Sequence, residues 1–245
     1  MMPALSPLPN PIDIWQQTLN WQPAAAQQQQ YQRLYEAIVA GNQQLNLTRI
    51  IDPQDFWEKH LWDSLRGVQP WLSDRRTALR LIDVGTGGGF PGLPVAIARP
   101  DWTITLLDST RKKIVFLDTL VAELGLATVK TWVDRAEQAG HLPQHREVYD
   151  IAAIRAVATA SVCAEYVLPL LKLGGSAVLY RGQWSDRETE ALQVALDLLG
   201  GRIDHIDAFV TPLTANTRHC IYIQKVTCTP MEYPRPVGIP AQKPL

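Results

Sequence analysis

The sequence predicts an α/β fold: a mostly parallel sheet, closed by an antiparallel final strand, with helices on its faces and further helices at the N-terminus. Three observations predict it. An apolar run, residues 79–84, carries Asp83 and is followed by Gly85, Gly87, Gly88, Gly89 and Gly92 within eight residues. That pattern is a strand, a side-chain-free turn and the start of a helix, an arrangement that brings backbone N–H groups close to a ligand. From residue 79 to residue 226 strand-like and helix-like segments then alternate, as right-handed crossovers in a parallel sheet require. Finally, Asp108 ends the second strand-like run 23 residues after Gly85, near the spacing at which an acid meets ribose hydroxyls.

The 245 residues suit one large α/β domain with additions, or at most two small ones. Hydrophobic content of 46% and charged content of 19% allow a sizeable core. No apolar run approaches the roughly 20 residues of a membrane span. The first residues lack the basic and apolar regions of a secretory signal, so a cytoplasmic location is expected. Cys163, Cys220 and Cys228 are odd in number and show no C-x-x-C spacing, which indicates neither a disulfide framework nor a zinc site. The formal net charge of -1 argues against holding bare nucleic acid by bulk electrostatics. Residues 218–245 nevertheless carry four basic residues against one acid, which leaves a nucleic-acid partner open.

Taken in order, residues 1–10 read as a disordered tail and 11–19 as a short helix with Ile12, Trp15 and Leu19 on one face. A longer helix is expected over 24–42, where Tyr31, Leu34, Tyr35, Ile38 and Val39 recur at helical spacing and Gly41–Asn42 offers a stop. Its glutamine run, 27–30, reads as a solvated face. Pro53 opens a helix carrying Phe56, Trp57, His60, Leu61 and Leu65. His60, Asp63 and Ser64 fall within about one turn of it, and His60 reads as a hydrogen-bonded residue packed on the next domain.

After the glycine turn, 102–107 is the second strand and 111–124 an amphipathic helix whose first turn holds Arg111, Lys112 and Lys113. That basic edge reads equally well as solvated or as contacting RNA. The third strand is 127–133, followed by 134–137. The fourth is 149–154, ending at Arg155, with a helix over 157–171. The fifth is 173–180, then Arg181–Gly182–Gln183 and a helix over 186–199. Strands at 203–210 and 219–226 close the sheet as an antiparallel pair, and the proline-rich segment from Cys228 is expected to be irregular. The organisation that follows is a tail (1–10), a helical extension (11–78), a core (79–227) and a C-terminal tail packed on the core (228–245).

Two ligand frames overlap in the glycine turn. Gly87-x-Gly89-x-x-Gly92 satisfies the dinucleotide fingerprint. Asp83-x-Gly85-x-Gly87-x-Gly89 resembles the S-adenosylmethionine (SAM) motif of the Rossmann-like methyltransferases, and a carboxylate there suits a cationic ligand better than a pyrophosphate. SAM is therefore favoured over NAD. No N-P-P-Y segment follows the fourth strand, which disfavours methylation of an exocyclic base amine. Cys163 lies in an apolar helical pattern and reads as a buried structural thiol rather than a nucleophile. An in-plane lone pair such as guanine N7 needs no base, which agrees with the lack of an evident acid–base pair. A small-metabolite methyltransferase and a non-catalytic nucleotide-binding regulatory module remain open as rivals.

Leu45-Asn46-Leu47-Thr48, His60-x-x-Asp63-Ser64, the glycine turn, Leu107-Asp108-Ser109, Arg155-Ala156, Gly182-Gln183 and Arg218-His219 stand in one order along the chain. They are followed by Tyr233-Pro234-Arg235-x-x-Gly238-Ile239-Pro240-x-x-Lys243-Pro244-Leu245. From about Leu45 onward the chain resembles the bacterial small-subunit ribosomal RNA guanine-N7 methyltransferases, the glucose-inhibited division protein B family. The resemblance implies a seven-stranded Rossmann-like fold, SAM as cofactor, and 16S rRNA or a small-subunit particle as substrate. A monomer with no metal and no membrane partner is expected. By motif position, Asp83, Gly85, Gly87 and Phe90 belong to the cofactor site. Asp108, Ser109 and Thr110 would meet the ribose, Ala136 and Glu137 the adenine, and Arg155 the open end near the methyl group. No residue is marked as catalytic. Arg155 and Arg181 are substrate-side candidates, and Arg181, Arg218 and His219 candidate RNA contacts. The family often has Lys where this chain has Arg181, which keeps the charge and changes the geometry.

Overall fold

A computed structural model describes residues 6–74 and 78–245. The first five residues of the expected disordered tail, and residues 75–77 of the expected helical extension, lie outside the described residues. Strands β1 (Arg80–Val84), β2 (Thr103–Asp108), β3 (Val129–Val133), β4 (Tyr149–Arg155), β5 (Leu171–Arg181), β6 (Gly201–Val210) and β7 (Thr217–Lys225) form one sheet. Their order is β3-β2-β1-β4-β5-β7-β6, with β7 antiparallel to both neighbours and the first five strands parallel. The order reverses between β1 and β4, and in open α/β sheets that switch point leaves a crevice at the carboxyl ends of the strands.

The two-residue period of the strands divides the interior into two cores. Leu81, Ile104, Leu106, Ile151 and Ala153 face one; Ile82, Val84, Leu107, Ala152 and Ile154 face the other. The first is covered by α1 (Ile12–Leu19), α2 (Ala25–Leu45), α6 (Gly92–Ala98), α7 (Arg111–Glu123) and a bent helix between α2 and β1. The second is covered by α9 (Ala160–Val167) and α10 (Asp186–Leu199). Aromatic edges hold the N-terminal layer together: Trp15 meets Trp57 at 4.8 Å and Tyr35 meets Phe56 at 4.9 Å between ring centroids. Tyr180 and Tyr222 pin that layer to the sheet by donating to the carbonyls of Ser64 and Gly67 at 2.8 and 3.1 Å.

The bent helix comprises α3 (Pro53–Phe56), a π-helical turn (Trp57–Trp62) and α4 (Asp63–Arg66). Asp52 starts it, its carboxylate accepting from the N–H groups of Gln54 and Asp55. Helical spacing foretells the segment but not the wider turn, which leaves the polar residues Glu58, His60 and Asp63 buried; π-turns of this kind concentrate at functional sites. A short α5 (Gln69–Leu72) follows.

Four expectations shift. The second helix runs past Gly41–Asn42 to Leu45, because Gly41 serves close packing rather than a stop. A Cβ on it would lie 2.4 Å from the Phe116 ring, and Asn46, at φ 47°, ends the helix instead. Gln27 and Gln30 are not wholly solvated: their amides donate to the Ile97 and Leu124 carbonyls at 2.8 and 3.0 Å, tying α2 to two other helices' ends. The helix expected over 157–171 is shorter. Ala156 is left-handed (φ 56°), α9 begins only at Ala160, and Pro169 lies in a closing 3-10 turn (Leu168–Leu170) before β5. The remaining helices are α8 (Ala136–Ala139) and α11 (Ile239–Gln242), the latter a single turn within the otherwise irregular C-terminal segment. Leu8, within the expected tail, donates its N–H to Gln32 at 2.8 Å and packs on the first core.

Candidate functional site

The turn after β1 is fixed by its neighbour strand: the N–H groups of Gly85 and Thr86 both donate to the Leu107 carbonyl, at 2.8 and 3.0 Å. Gly85 has φ +71°, and a Cβ there would lie 2.6 Å from Val157 Cγ2, so backbone and space both require glycine. Gly87, at φ +57°, donates its N–H to Asp108 Oδ2 at 2.9 Å, while Thr110 N–H donates to Asp108 Oδ1 at 2.8 Å. One carboxylate thus joins the glycine turn to the first turn of α7.

Asp83 does different work from that read in the sequence. It is fully buried, and its Oδ2 accepts from the Thr86 hydroxyl at 2.6 Å and the Gly92 N–H at 2.7 Å, bracing the turn against the start of α6. Oδ1 is buried without a partner. Burial pushes this carboxyl up to about 6 despite those two donors.

A cleft of about 240 Å³ opens at the carboxyl ends of the strands, and Gly85, Asp108, Ser109, Ala136 and Glu137, five of the residues the sequence assigns to the cofactor, line it. Thr110 borders it through its bond to Asp108. Val157, Tyr166 and Ala241 also line it and were missed. Tyr166 hides in an apolar helical pattern, and Ala241 carries no chemistry to notice. The lining suits the groups of SAM. Asp108 and Ser109 offer acceptors to ribose hydroxyls, and Gly85 leaves the mouth without a side chain.

The other expected residues gather on either side of that cleft. Toward the N-terminal layer, the His60 ring stacks on Phe90, centroids 4.2 Å apart. His60 Nε2 meets the Thr48 hydroxyl at 2.7 Å, and Arg155 Nη2 donates to His60 Nδ1 at 3.2 Å. Burial, with the charges of Arg155 and Lys59, pushes the His60 pKa down to about 3, so the ring is neutral. Arg155 also donates to the Lys59 carbonyl at 2.8 Å and to Asp63 Oδ2 at 3.0 Å, and Arg218 reaches the same oxygen at 3.2 Å. Glu58 accepts from the Thr214 N–H at 3.0 Å and from its hydroxyl, holding the β6–β7 turn.

Arg155 is in register with Tyr180 and Tyr180 with Cys220, so Arg218 shares the face of Arg155 while Arg181 and His219 take the opposite face. There Arg181 donates to the Ala158 carbonyl at 2.7 Å and to Glu188 at 3.2 Å, and His219 donates to the Gly182 carbonyl at 2.7 Å. Cys163 is buried and its thiol is pushed up to about 11, as a structural cysteine should be. Among the described residues no cluster of His, Cys, Asp and Glu could hold a metal ion, and no helix is long and apolar enough to cross a membrane.

Residues 27–221 match the sequence profile of GidB, rRNA small subunit methyltransferase G. Ribosomal RNA small subunit methyltransferase G of Nostoc punctiforme is 62% identical over 240 residues, covering 97% of this chain and 98% of the relative. The protein of the same name from Synechococcus elongatus is 57% identical over 231 residues, covering 94% and 95%. Among solved structures, Pyrococcus horikoshii TYW2 in complex with MeSAdo superposes with a TM-score of 0.53 at 10% identity, over 67% of this chain and 62% of that one. The antibiotic-resistance methyltransferase Kmr superposes with a TM-score of 0.52 at 15% identity, over 66% and 94%. These two likenesses speak for the Rossmann-like fold alone.

Proposed function

The chain belongs to the rRNA small subunit methyltransferase G family, and we propose that it transfers the methyl group of SAM to the N7 of one guanine in 16S rRNA. The observation that carries this reading is the cleft in which Gly85, Asp108, Ser109, Ala136 and Glu137 converge at the carboxyl edge of the sheet, with the Arg155–Asp63–Arg218 cluster beside it. When bound, SAM supplies an electrophilic methyl group on a sulfonium. Guanine N7 presents an in-plane lone pair, so the protein need remove no proton, and its contribution is alignment of donor and acceptor.

In this assignment Asp83 braces the turn, Gly85 and Gly87 shape it, and Asp108, Ser109 and Thr110 serve the ribose. Ala136 and Glu137 form the adenine end. Phe90 and Arg155 stand at the methyl end, with Arg155, Arg218 and His219 on the RNA side, while Arg181 supports the cleft wall through the Ala158 carbonyl. Residues 79–227 act as the cofactor-binding core, and residues 11–78 shape the RNA entry surface. In this reading the working unit is a single chain acting on ribosomal RNA in the cytoplasm.

The test incubates the protein with labelled SAM and unmodified small-subunit particles, then maps the label. One labelled guanine, cleaved by aniline after borohydride as N7-methylated guanine is, supports the reading. Label on another base, on protein or nowhere would sink it. Gly85→Val, which drives a side chain into Val157, should abolish both labelling and SAM binding.

A further inference from the structure

Three walls of the cleft meet on one oxygen. Glu137 Oε1 accepts from Arg135 Nη2 at 3.2 Å, from the Tyr166 hydroxyl at 3.3 Å and from the Gly238 N–H at 3.0 Å. Glu137 belongs to α8, Tyr166 to α9, and Gly238 to the residue that caps α11. Each of these elements lines the cleft, α11 through Ala241. With three donors already on it, this oxygen has little capacity left for a ligand, so it ties the walls together rather than reading a base.

The segment leading into Gly238 is anchored just before that tie. Arg235 forks onto the fully buried Glu165 of α9, with Nε at 2.9 Å from Oε1 and Nη2 at 2.7 Å from Oε2, and its own N–H donates to Oε1 at 2.8 Å. Arg146 donates to the carbonyls of Gly140, Tyr233 and Thr229 at 2.8–2.9 Å. His141 meets the Pro234 carbonyl at 2.7 Å. Gly140 packs so closely under Pro234 that a Cβ would come within 2.6 Å of its ring. Nothing in the methyl-transfer chemistry requires this much fixation of a C-terminal segment, whereas a wall against a ligand does.

We propose that residues 235–245 are the outer wall of the cofactor cleft, a strap that bears on the adenosine half of SAM through Ala241 and is positioned by the Gly238–Glu137 tie and the Arg235–Glu165 pair. The proposal rests on the assignment of Ala136 and Glu137 to the adenine end. It makes the tail a determinant of affinity for the nucleoside, independent of the amino-acid end of the ligand.

The experiment is calorimetry of the full chain with three probes that share adenosine: SAM, S-adenosylhomocysteine and 5′-methylthioadenosine, the last lacking the amino-acid end. Ala241→Phe places a ring at the cleft wall from an exposed position, so the unliganded melting temperature should hold. All three affinities should fall together, by about tenfold or more. Arg235→Ala should give the same parallel loss with a lower melting temperature, and Arg235→Lys should recover part of it. Unchanged affinities in Ala241→Phe, or a loss confined to the two ligands bearing the amino-acid end, would overturn the strap. Gly85→Val serves as the reference: if it binds SAM as the unaltered chain does, the cleft assignment falls, and the strap falls with it for that separate reason.

Discussion

The imidazole of His60 lies flat on the ring of Phe90, planes 9° from parallel, while Arg155 donates to its Nδ1. A buried ring so placed accepts on one nitrogen and donates on the other, and it cannot take a second proton without facing a guanidinium. Its pKa falls to about 3 from an ordinary value of 6.5. Between those values the unfolded chain binds a proton that the folded chain refuses. The contribution of His60 is therefore complete above about pH 6.5 and drains as pH falls, at up to about 1.4 kcal/mol per pH unit. Urea denaturation at about pH 7.5 and about pH 5 should show His60→Gln losing less stability than the unaltered chain. Equal losses would mean that the histidine does not titrate as its surroundings require.

Asp83 works in the other direction. Its folded pKa of about 6 lies above the ordinary 3.8, so across that interval the folded chain holds a proton that the unfolded chain has released. Its contribution is present at the acid end of the window and is lost as pH rises to about 6. In the unaltered chain it offsets part of the acid loss from His60. Asp83→Asn removes the offset, and its stability should fall more steeply between about pH 6 and about pH 4 than that of the unaltered chain. Asp83→Ala leaves Gly92 N–H and the Thr86 hydroxyl without their acceptor, and calorimetry should find SAM binding lost.

Much of this arrangement is legible in the sequence because it is local. The strand–glycine–helix unit, Asp108 at the end of β2 and the alternation of elements depend on neighbours within a few residues. What escapes is made by long-range pairing. Asp83 has the sequence of a ligand-facing acid, but Gly92, nine positions on, returns beneath it and captures one oxygen. Asp63 gives no local sign that Arg155 and Arg218, from two different strands, will converge on it. Ala241 reaches the cleft from a segment held by distant pairings, among them Arg235 with Glu165, 70 positions away. Nor does apolar spacing distinguish an α-turn from the π-turn at Trp57–Trp62.

Asp63 carries two guanidiniums on one oxygen, and the three partners differ in burial: side-chain exposure is 3% for Asp63, 12% for Arg155 and 31% for Arg218. Removing the shared acid strands a buried positive charge, which typically costs about 3–5 kcal/mol. Removing Arg218, a third exposed and screened by water, should cost about 1 kcal/mol or less. Asp63→Ala should therefore destabilise far more than Arg218→Ala in urea unfolding. Asp63→Ala combined with Arg155→Met should cost less than the sum of the two, because the second change removes the stranded charge. Additive losses would show that the pair is not coupled.

Arg181 and Arg218 differ in the face of the sheet they serve, and their variants should separate accordingly. Arg181 grips the carbonyl of Ala158, and Ala158 lines the cofactor cleft, so its guanidinium supports the cleft wall. Lysine in its place keeps the charge but cannot fork between that carbonyl and Glu188. Arg181→Lys should weaken SAM binding by roughly threefold to tenfold, given about 1 kcal/mol for one such hydrogen bond. Arg218 is partly exposed, bonds to Asp63 and does not line the cleft. Arg218→Ala should leave SAM affinity unchanged, raise the KM for the RNA particle, and lessen the salt dependence of particle binding by roughly one phosphate contact. Calorimetry with SAM and filter binding of particles across a salt series read the two effects separately. A SAM defect in Arg218→Ala, or a change of salt slope in Arg181→Lys alone, would reverse the assignment of the two arginines.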